Sequence, residues 1–369
     1  MMATHSSVPA PALAHVATSV PTASIDDSSE VEPITQTPGK AFISAPIKWQ
    51  PRRLNNRLKD QPGRLLAIKK RLAKHQCAEC GISDDGSGSL EVCTGCHLVK
   101  YCNRKCQAAH WPAHRKACKE HFAELFDEKL FKQAPPNEDC PICSLRLPID
   151  LDQKTYQSCC GEILCRGCVH AHSVAAADTE KYKCAFCRTE APSSVEELIE
   201  RMKKREEAND AQAMSHLGIT YQYGMTGLRQ DHAEALKLIH KSAKLGDQFA
   251  NFNLYLFNQK GSFKERYTRK AKYHIQISAI AGNVSARYGL GCDELKAGNR
   301  DRAYTHWMIS ANDGHALSME AVKKGYKLGY VTKDDCAKTI RAYGHSIDEM
   351  KSDQRDRAAA AFRKTQLTK

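Results

Sequence analysis

Fifteen of the seventeen cysteines fall between Cys77 and Cys187, in two consecutive sets. Most come as C-x-x-C pairs, a spacing that lets two thiolates grip one tetrahedral ion from a single turn, as structural zinc sites do. With one histidine they make sixteen ligands, the number that four zinc ions need. An odd cysteine count with no secretory apolar region argues against a disulfide framework, which belongs to oxidising compartments. The expected cofactor is therefore zinc, four ions, and the expected compartment is a reducing one, cytoplasm or nucleus.

A chain of 369 residues has room for two or three domains, and 41% hydrophobic residues supply a core for part of it. The net charge of +13 and the pI near 9.0 suit a solvated basic surface better than a nucleic-acid site, because no aromatic residues interleave with the basic ones. No apolar run approaches the ~20 residues of a spanning helix, so no membrane anchor is expected.

Residues 1–51 are rich in Ala, Ser, Thr and Pro, carry Asp26, Asp27, Glu30 and Glu32, and show no hydrophobic period. They read as a disordered N-terminal segment. Residues 52–76 turn strongly basic around Leu65, Leu66, Ile68 and Leu72, which predicts an amphipathic helix or linker. Within it Lys69-Lys70-Arg71 is either a nuclear import signal or a solvated face. Residues 119–137 form a helical linker that ends at the breaker Ala134-Pro135-Pro136-Asn137. A charged helix is expected over 195–210, with Glu197/Arg201 and Glu200/Lys204 at i, i+4. In the basic C-terminal tail, 346–369, Arg355, Arg357, Arg363 and Lys364 read as solvating a terminal helix.

The first set runs Cys77-x2-Cys80, Cys93-x2-Cys96, Cys102-x3-Cys106 and His114-x3-Cys118. The x3 gaps put two ligands one helical turn apart on one face, so this module should begin as turns and end as helix. His110, one turn before His114, competes as a ligand, although His114 is the i, i+4 partner of Cys118. The stretch from Cys93-Thr-Gly-Cys through Tyr101-Cys-Asn-Arg-Lys-Cys-Gln to Trp111-Pro-Ala-His-Arg-Lys-Ala-Cys118 resembles the MYND zinc finger, over residues 77–118. The resemblance implies interleaved ligands: one ion on Cys77, Cys80, Cys102 and Cys106, the other on Cys93, Cys96, His114 and Cys118. It also implies proline-containing peptides as partners. Four protein ligands leave no position for water, so these ions staple the fold.

The second set runs Cys140-x2-Cys143, Cys159-Cys160, Cys165-x2-Cys168 and Cys184-x2-Cys187. It resembles an all-cysteine RING domain over residues 138–190, in which pairs one and three, and two and four, would share ions. Adjacent Cys159 and Cys160 would complete the last site; otherwise Glu162, His170 or His172 must do so. RING domains dock a ubiquitin-conjugating enzyme and supply no nucleophile. The resemblance maps its apolar first-loop contact onto Ile142 and its basic contact onto Arg188, while Ala185 and His172 stand where proline and tryptophan are common.

Downstream, Ala213-x3-Leu217-Gly218 with Ala235, Ala243 and Gly246 recurs as Ala250-x3-Leu254 with Ala279 and Gly282, and as Ala286-x3-Leu290-Gly291 with Ala303, Trp307, Ala311 and Gly314. The period of roughly 36 residues belongs to helix-pair solenoids. These details resemble Sel-one-like repeats, relatives of the tetratricopeptide repeat, over residues 211–345, with the helices around Asp334 to Met350 capping the stack. Cys292 and Cys336 read as buried apolar residues. The fold expected is thus multidomain: two small zinc-stapled α+β modules, then an all-α helix-pair solenoid, after a disordered N-terminus.

The modules together resemble proteins of unicellular algae with the same combination. Two functions fit: a ubiquitin ligase in which the RING-like module recruits a conjugating enzyme while the MYND module and the repeats hold substrates, or a non-catalytic adaptor or transcription-associated scaffold. Lysine methyltransferases that carry a MYND finger need a long β-rich domain, and residues 195–369 read as helix.

Overall fold

The computed structural model describes residues 76–83, 90–134, 136–176, 182–259 and 266–367. The expected disordered segment, and the basic helix except for Gln76, lie outside these residues. Two compact units divide between Lys129 and Leu130.

In the first unit, strands β1 (Glu91–Val92) and β2 (Lys100–Tyr101) form an antiparallel pair, and α1 (Arg104–Leu130) follows. Asn103 starts this helix, its Oδ1 accepting from the Cys106 N–H at 2.9 Å. The core is small: Leu90 and Tyr101 are buried among Cys77, Cys93, Cys96 and Cys118. So little apolar area cannot hold a fold alone, which is why the ligands must.

The second unit opens with the other cysteine-rich module. Strands β3 (Lys154–Tyr156) and β4 (Ile163–Cys165) pair antiparallel, and α2 (Arg166–Ala175) follows at once. Among the described residues ten helices then follow: α3 (Val195–Glu207), α4 (Ala211–Tyr223), α5 (His232–Lys244), α6 (Gln248–Gln259), α7 (Arg266–Ile280), α8 (Val284–Lys296), α9 (Arg300–Asn312), α10 (Ala316–Lys327), α11 (Lys333–Met350) and α12 (Asp353–Leu367). Helices α4 to α11 stack as consecutive antiparallel pairs, each against the next.

Three sequence copies of one joint build this stack: Ser242-Ala-Lys-Leu-Gly246-Asp247, Ser278-Ala-Ile-Ala-Gly282-Asn283 and Ser310-Ala-Asn-Asp-Gly314-His315. In each, the serine hydroxyl donates to a carbonyl at the start of the preceding helix: Ser242 to Ala211 O, Ser278 to Gln248 O and Ser310 to Val284 O, at 2.6–2.9 Å. The glycine takes φ of +92°, +100° and +92°, which ends one helix in the left-handed conformation. The last residue caps the next helix through Asp247 to Ala250 N, Asn283 to Ala286 N and His315 to Ser318 N. The third copy comes sooner than the period of roughly 36 residues requires. Three residues, 297–299, link α8 to α9, against eight, 224–231, between α4 and α5.

The helix expected to be merely charged, α3, does carry its i, i+4 pairs, Arg201–Glu197 at 2.6 Å and Lys204–Glu200 at 2.8 Å. Its other face buries Leu198, Ile199 and Met202 against Leu217 and Leu238, so it opens the array. The basic tail also differs from its expected solvated state: α12 lies against α2, and Arg355 is buried. Cys336 joins the apolar cluster around Trp307, and Cys292 packs on its edge.

The cysteine-rich module is fixed to the array at both ends. At one, Tyr156 donates to Asp210 at 2.8 Å, Arg205 bridges both residues, and the Tyr156 ring stacks on His216. At the other, buried Arg146 reaches Asp313 at 3.1 Å, Glu349 at 3.3 Å and Ser346 at 3.0 Å. Arg287 of α8 donates to the carbonyl oxygens of Leu130 and Ala279, and Gln133 donates to Asp313, which locks the entering linker.

Candidate metal centres

Four of the five C-x-x-C pairs begin a tight turn of one design, and the fifth, Cys165-x2-Cys168, opens helix α2. The fourth residue after the leading cysteine returns its N–H to that cysteine's carbonyl: Gly81 to Cys77, His97 to Cys93, Ser144 to Cys140 and Arg188 to Cys184. All four take φ between +54° and +73°, and three of them are not glycine. The leading cysteines' own N–H groups bond to Ile82, Val99, Leu145 and Thr189 carbonyls, closing each loop into a small hairpin. The result aims two sulfurs to one side with the backbone fully used.

Four groups of ligand atoms follow, each lying within 4.8 Å of one another: Cys77/Cys80/Cys102/Cys106, Cys93/Cys96/His114/Cys118, Cys140/Cys143/Cys165/Cys168 and Cys159/Cys160/Cys184/Cys187. These bring together all sixteen of the residues singled out as ligands. A zinc tetrahedron with Zn–S of about 2.3 Å requires sulfurs about 3.8 Å apart. The observed separations bracket that value: 3.6 Å for Cys80–Cys102, 3.8 Å for Cys93–Cys118, 3.9 Å for Cys143–Cys165 and 4.0 Å for Cys140–Cys168. Disulfides would sit near 2.05 Å. The groups fit zinc, about four ions, and each site closes with protein ligands alone.

His114 supplies its Nε2, 3.3 Å from Cys96 Sγ. Burial first, and then the charge of His110, holds its pKa below the ordinary imidazole value, which favours the neutral ring that a metal needs. His110 stands outside the group, with its Nδ1 2.9 Å from the Tyr101 hydroxyl and its ring stacked on His114. Both Cys159 and Cys160 belong to the fourth group, with Cys159 3.3 Å from Cys187. His172 is turned elsewhere, its Nε2 3.1 Å from the Lys183 carbonyl and its Nδ1 3.4 Å from an Arg188 nitrogen.

The surroundings split the thiols: against the opposing effect of burial, hydrogen bonds hold Cys77, Cys93, Cys140 and Cys187 below the ordinary thiol value, while burial pushes Cys96, Cys118, Cys159, Cys160 and Cys168 above it. Cys140 is drawn down to about 4, first by its hydrogen bond with Cys165, against the opposing effect of burial, and then by backbone N–H groups of Cys165, Cys143 and Ile142. Backbone N–H groups of Leu98, Cys165 and Cys168 also point at ligand sulfurs, at 3.4–3.5 Å.

Ile142 and Arg188 occupy the turns of the third and fourth groups, and both are exposed, Ile142 by 41%. Phe186, 44% exposed in the last turn, was not singled out by sequence, although its place beside Ala185 between two ligands could have flagged it. Arg355 was missed as well, for its part in the site is played from more than two hundred residues away.

Residues 77–118 match the MYND finger family. Among solved structures, a Sel1 repeat protein from Oxalobacter formigenes is similar at 22% identity, with a TM-score of 0.36, covering 47% of this chain and 80% of that one. A protective antigen of uropathogenic Escherichia coli strains, displaying an SLR fold, matches at 20% identity and a TM-score of 0.33, covering 44% of this chain and 39% of that one. A zinc-binding MYND finger joined to a helical repeat array makes this chain a protein-interaction scaffold.

Proposed function

We propose that the scaffold acts as a RING-type ubiquitin ligase, in which the module at residues 138–190 recruits a conjugating enzyme for isopeptide transfer to substrate lysines. The observation that carries this reading is that two metal turns of this module each leave a large apolar side chain exposed, Ile142 and Phe186, with exposed Arg188 directly after the last ligand. Large apolar side chains left open on so small a module suit a protein partner. Helix α12 engages Arg166 and Gly167 on α2. No covalent step falls to the protein itself. It would hold the charged conjugating enzyme beside the substrate, a contribution of proximity.

The MYND finger would take short proline-containing peptides. Trp111 supports this, 41% exposed on α1 and edge-on to His114. The array offers Tyr223, Tyr273 and Tyr326 on its surface for further protein contacts. Thiolate-rich zinc modules suit a reducing compartment, cytoplasm or nucleus.

The test is autoubiquitination with a panel of conjugating enzymes, comparing the wild type with Ile142→Ala and Arg188→Ala while native mass spectrometry counts zinc. Chains formed by the wild type and lost in both variants, at four zincs each, establish the ligase. Silence across the panel with four zincs retained means a non-catalytic adaptor, a reading favoured by His172 and Ala185 in the docking face.

A further inference from the structure

Helix α12 brings the Arg355 guanidinium into the first turn of the Cys140/Cys143/Cys165/Cys168 group. Its Nη1 donates to the carbonyl oxygens of Arg146 at 2.6 Å and Met350 at 2.7 Å. Its Nη2 donates to the Leu145 carbonyl at 3.2 Å and points at Cys143 Sγ from 3.6 Å. Arg355 is 7% exposed. Close approach of α12 depends on Gly167 in the first turn of α2, where a Cβ would meet the Arg355 backbone at 2.9 Å. Further along, Phe362 of α12 lies beneath the Arg166 guanidinium, 4.1 Å from its centre.

A zinc ion with four thiolates carries a net charge of −2, and a buried charge is costly unless a partner of opposite sign is near. Backbone N–H groups offset part of it. Arg355 supplies a full positive charge and a hydrogen bond to a ligating sulfur, and no other arginine among the described residues donates to a ligand sulfur in this way. The clamp is mutual, since Arg355 without the thiolates would be a buried cation held only by carbonyls.

We propose that Arg355 is a positioning residue and counter-ion of the Cys140/Cys143/Cys165/Cys168 zinc cluster, so that docking of α12 and retention of that ion are one linked equilibrium. Linkage is reciprocal: whatever α12 adds to the hold on zinc, zinc adds to the hold on α12. The proposal does not depend on ligase activity.

The experiment uses the full chain loaded with zinc and a colorimetric chelator, comparing wild type, Arg355→Met and Arg355→Lys. In Arg355→Met one ion of four should leave about tenfold faster or more, the usual cost of losing a partner just outside the ligands. Alkylation mapped by mass spectrometry should then find Cys140, Cys143, Cys165 and Cys168 exposed first, with Arg355→Lys intermediate. Equal release of all four ions from Arg355→Met and wild type, with helical content kept, overturns the proposal. Should Arg355→Met fail to fold, hydrogen exchange on the wild type decides. As chelator empties this cluster, residues 353–367 should lose protection before α4 to α9; unchanged protection refutes the linkage.

Discussion

Gly291→Ala tests whether the spacing of a helix pair is set by the absence of a side chain. A Cβ at this position on α8 would stand 2.3 Å from Trp307 Nε1, 2.6 Å from Cδ1 and 2.8 Å from Cε2. The indole cannot retreat cheaply. It is 3% exposed, edge-on to Tyr304 at 5.2 Å, held by its N–H to the Tyr288 carbonyl at 3.2 Å, and packed among Met319, Val322 and Cys336. Overpacking of this kind costs about 1–3 kcal/mol, and losing the indole hydrogen bond about 1 more. Alanine's better helix propensity returns about 1 kcal/mol. The net is a loss of about 1–3 kcal/mol, and each kcal/mol lowers the midpoint of an array this size by about 2–4 °C. Thermal unfolding followed by far-UV circular dichroism measures it. Gly344→Ala is the control: it lies inside α11 with no neighbour within 4 Å, so only propensity acts and the variant should gain up to about 1 kcal/mol. If Gly291→Ala unfolds at or above the wild-type temperature, the contact is not what fixes the pair, and the reasoning fails.

Acid should loosen the array through His216 and His315, both lowered by burial to about 4. The unfolded chain takes up those protons below about 6.5 while the native state resists, so stability is unaffected above that pH and falls between 6.5 and 4, by about 2 kcal/mol per histidine at pH 5. His315→Asn keeps an N-cap acceptor without the titration, and should lose less stability than wild type between pH 7.5 and about 5 in urea unfolding. Ser310→Ala removes the buried hydroxyl bond to Val284 and should cost about 1 kcal/mol in the same assay; no change would mean that the recurring serines are tolerated and not needed. His114→Ala should reduce the zinc count by one in native mass spectrometry while His110→Ala leaves it intact, and the opposite pattern would reverse the ligand assignment.

The metal groups were legible in sequence because their information is local: a turn of four residues and a helical turn of i, i+4 bring most of each group together before any tertiary contact forms. Choosing His114 over His110 needed only that spacing. The helix pairs were legible through small residues, Gly218 against Ile239 and Gly291 against Trp307, where a Cβ would come within 2.5 Å of its neighbour. The serines at 242, 278 and 310 were equally regular, yet serine carries no strong helical signal, and their partners are carbonyls that every residue has. What could not be read was the seating of the second metal module on the array. Arg146 meets Asp313, and Arg355 meets Leu145, across separations that leave no periodic trace. In a basic stretch Arg355 looked like its solvated neighbours. The left-handed His97, Ser144 and Arg188 were hidden because the turn's hydrogen bonds and sulfur contacts, not glycine, hold them there.

Tandem helix arrays ordinarily gain and lose units by duplication and deletion, since each unit touches only its neighbours. This one has closed its ends. The same small module grips Asp210 near the beginning through Tyr156 and Ser346 near the end through Arg146, so the distance between those two grips is fixed by a body that cannot stretch. Each helix layer advances the stack by about 8–10 Å. Inserting or removing a single pair would carry one grip out of reach by more than the length of an arginine, and so the number of units in this chain is counted by its metal module.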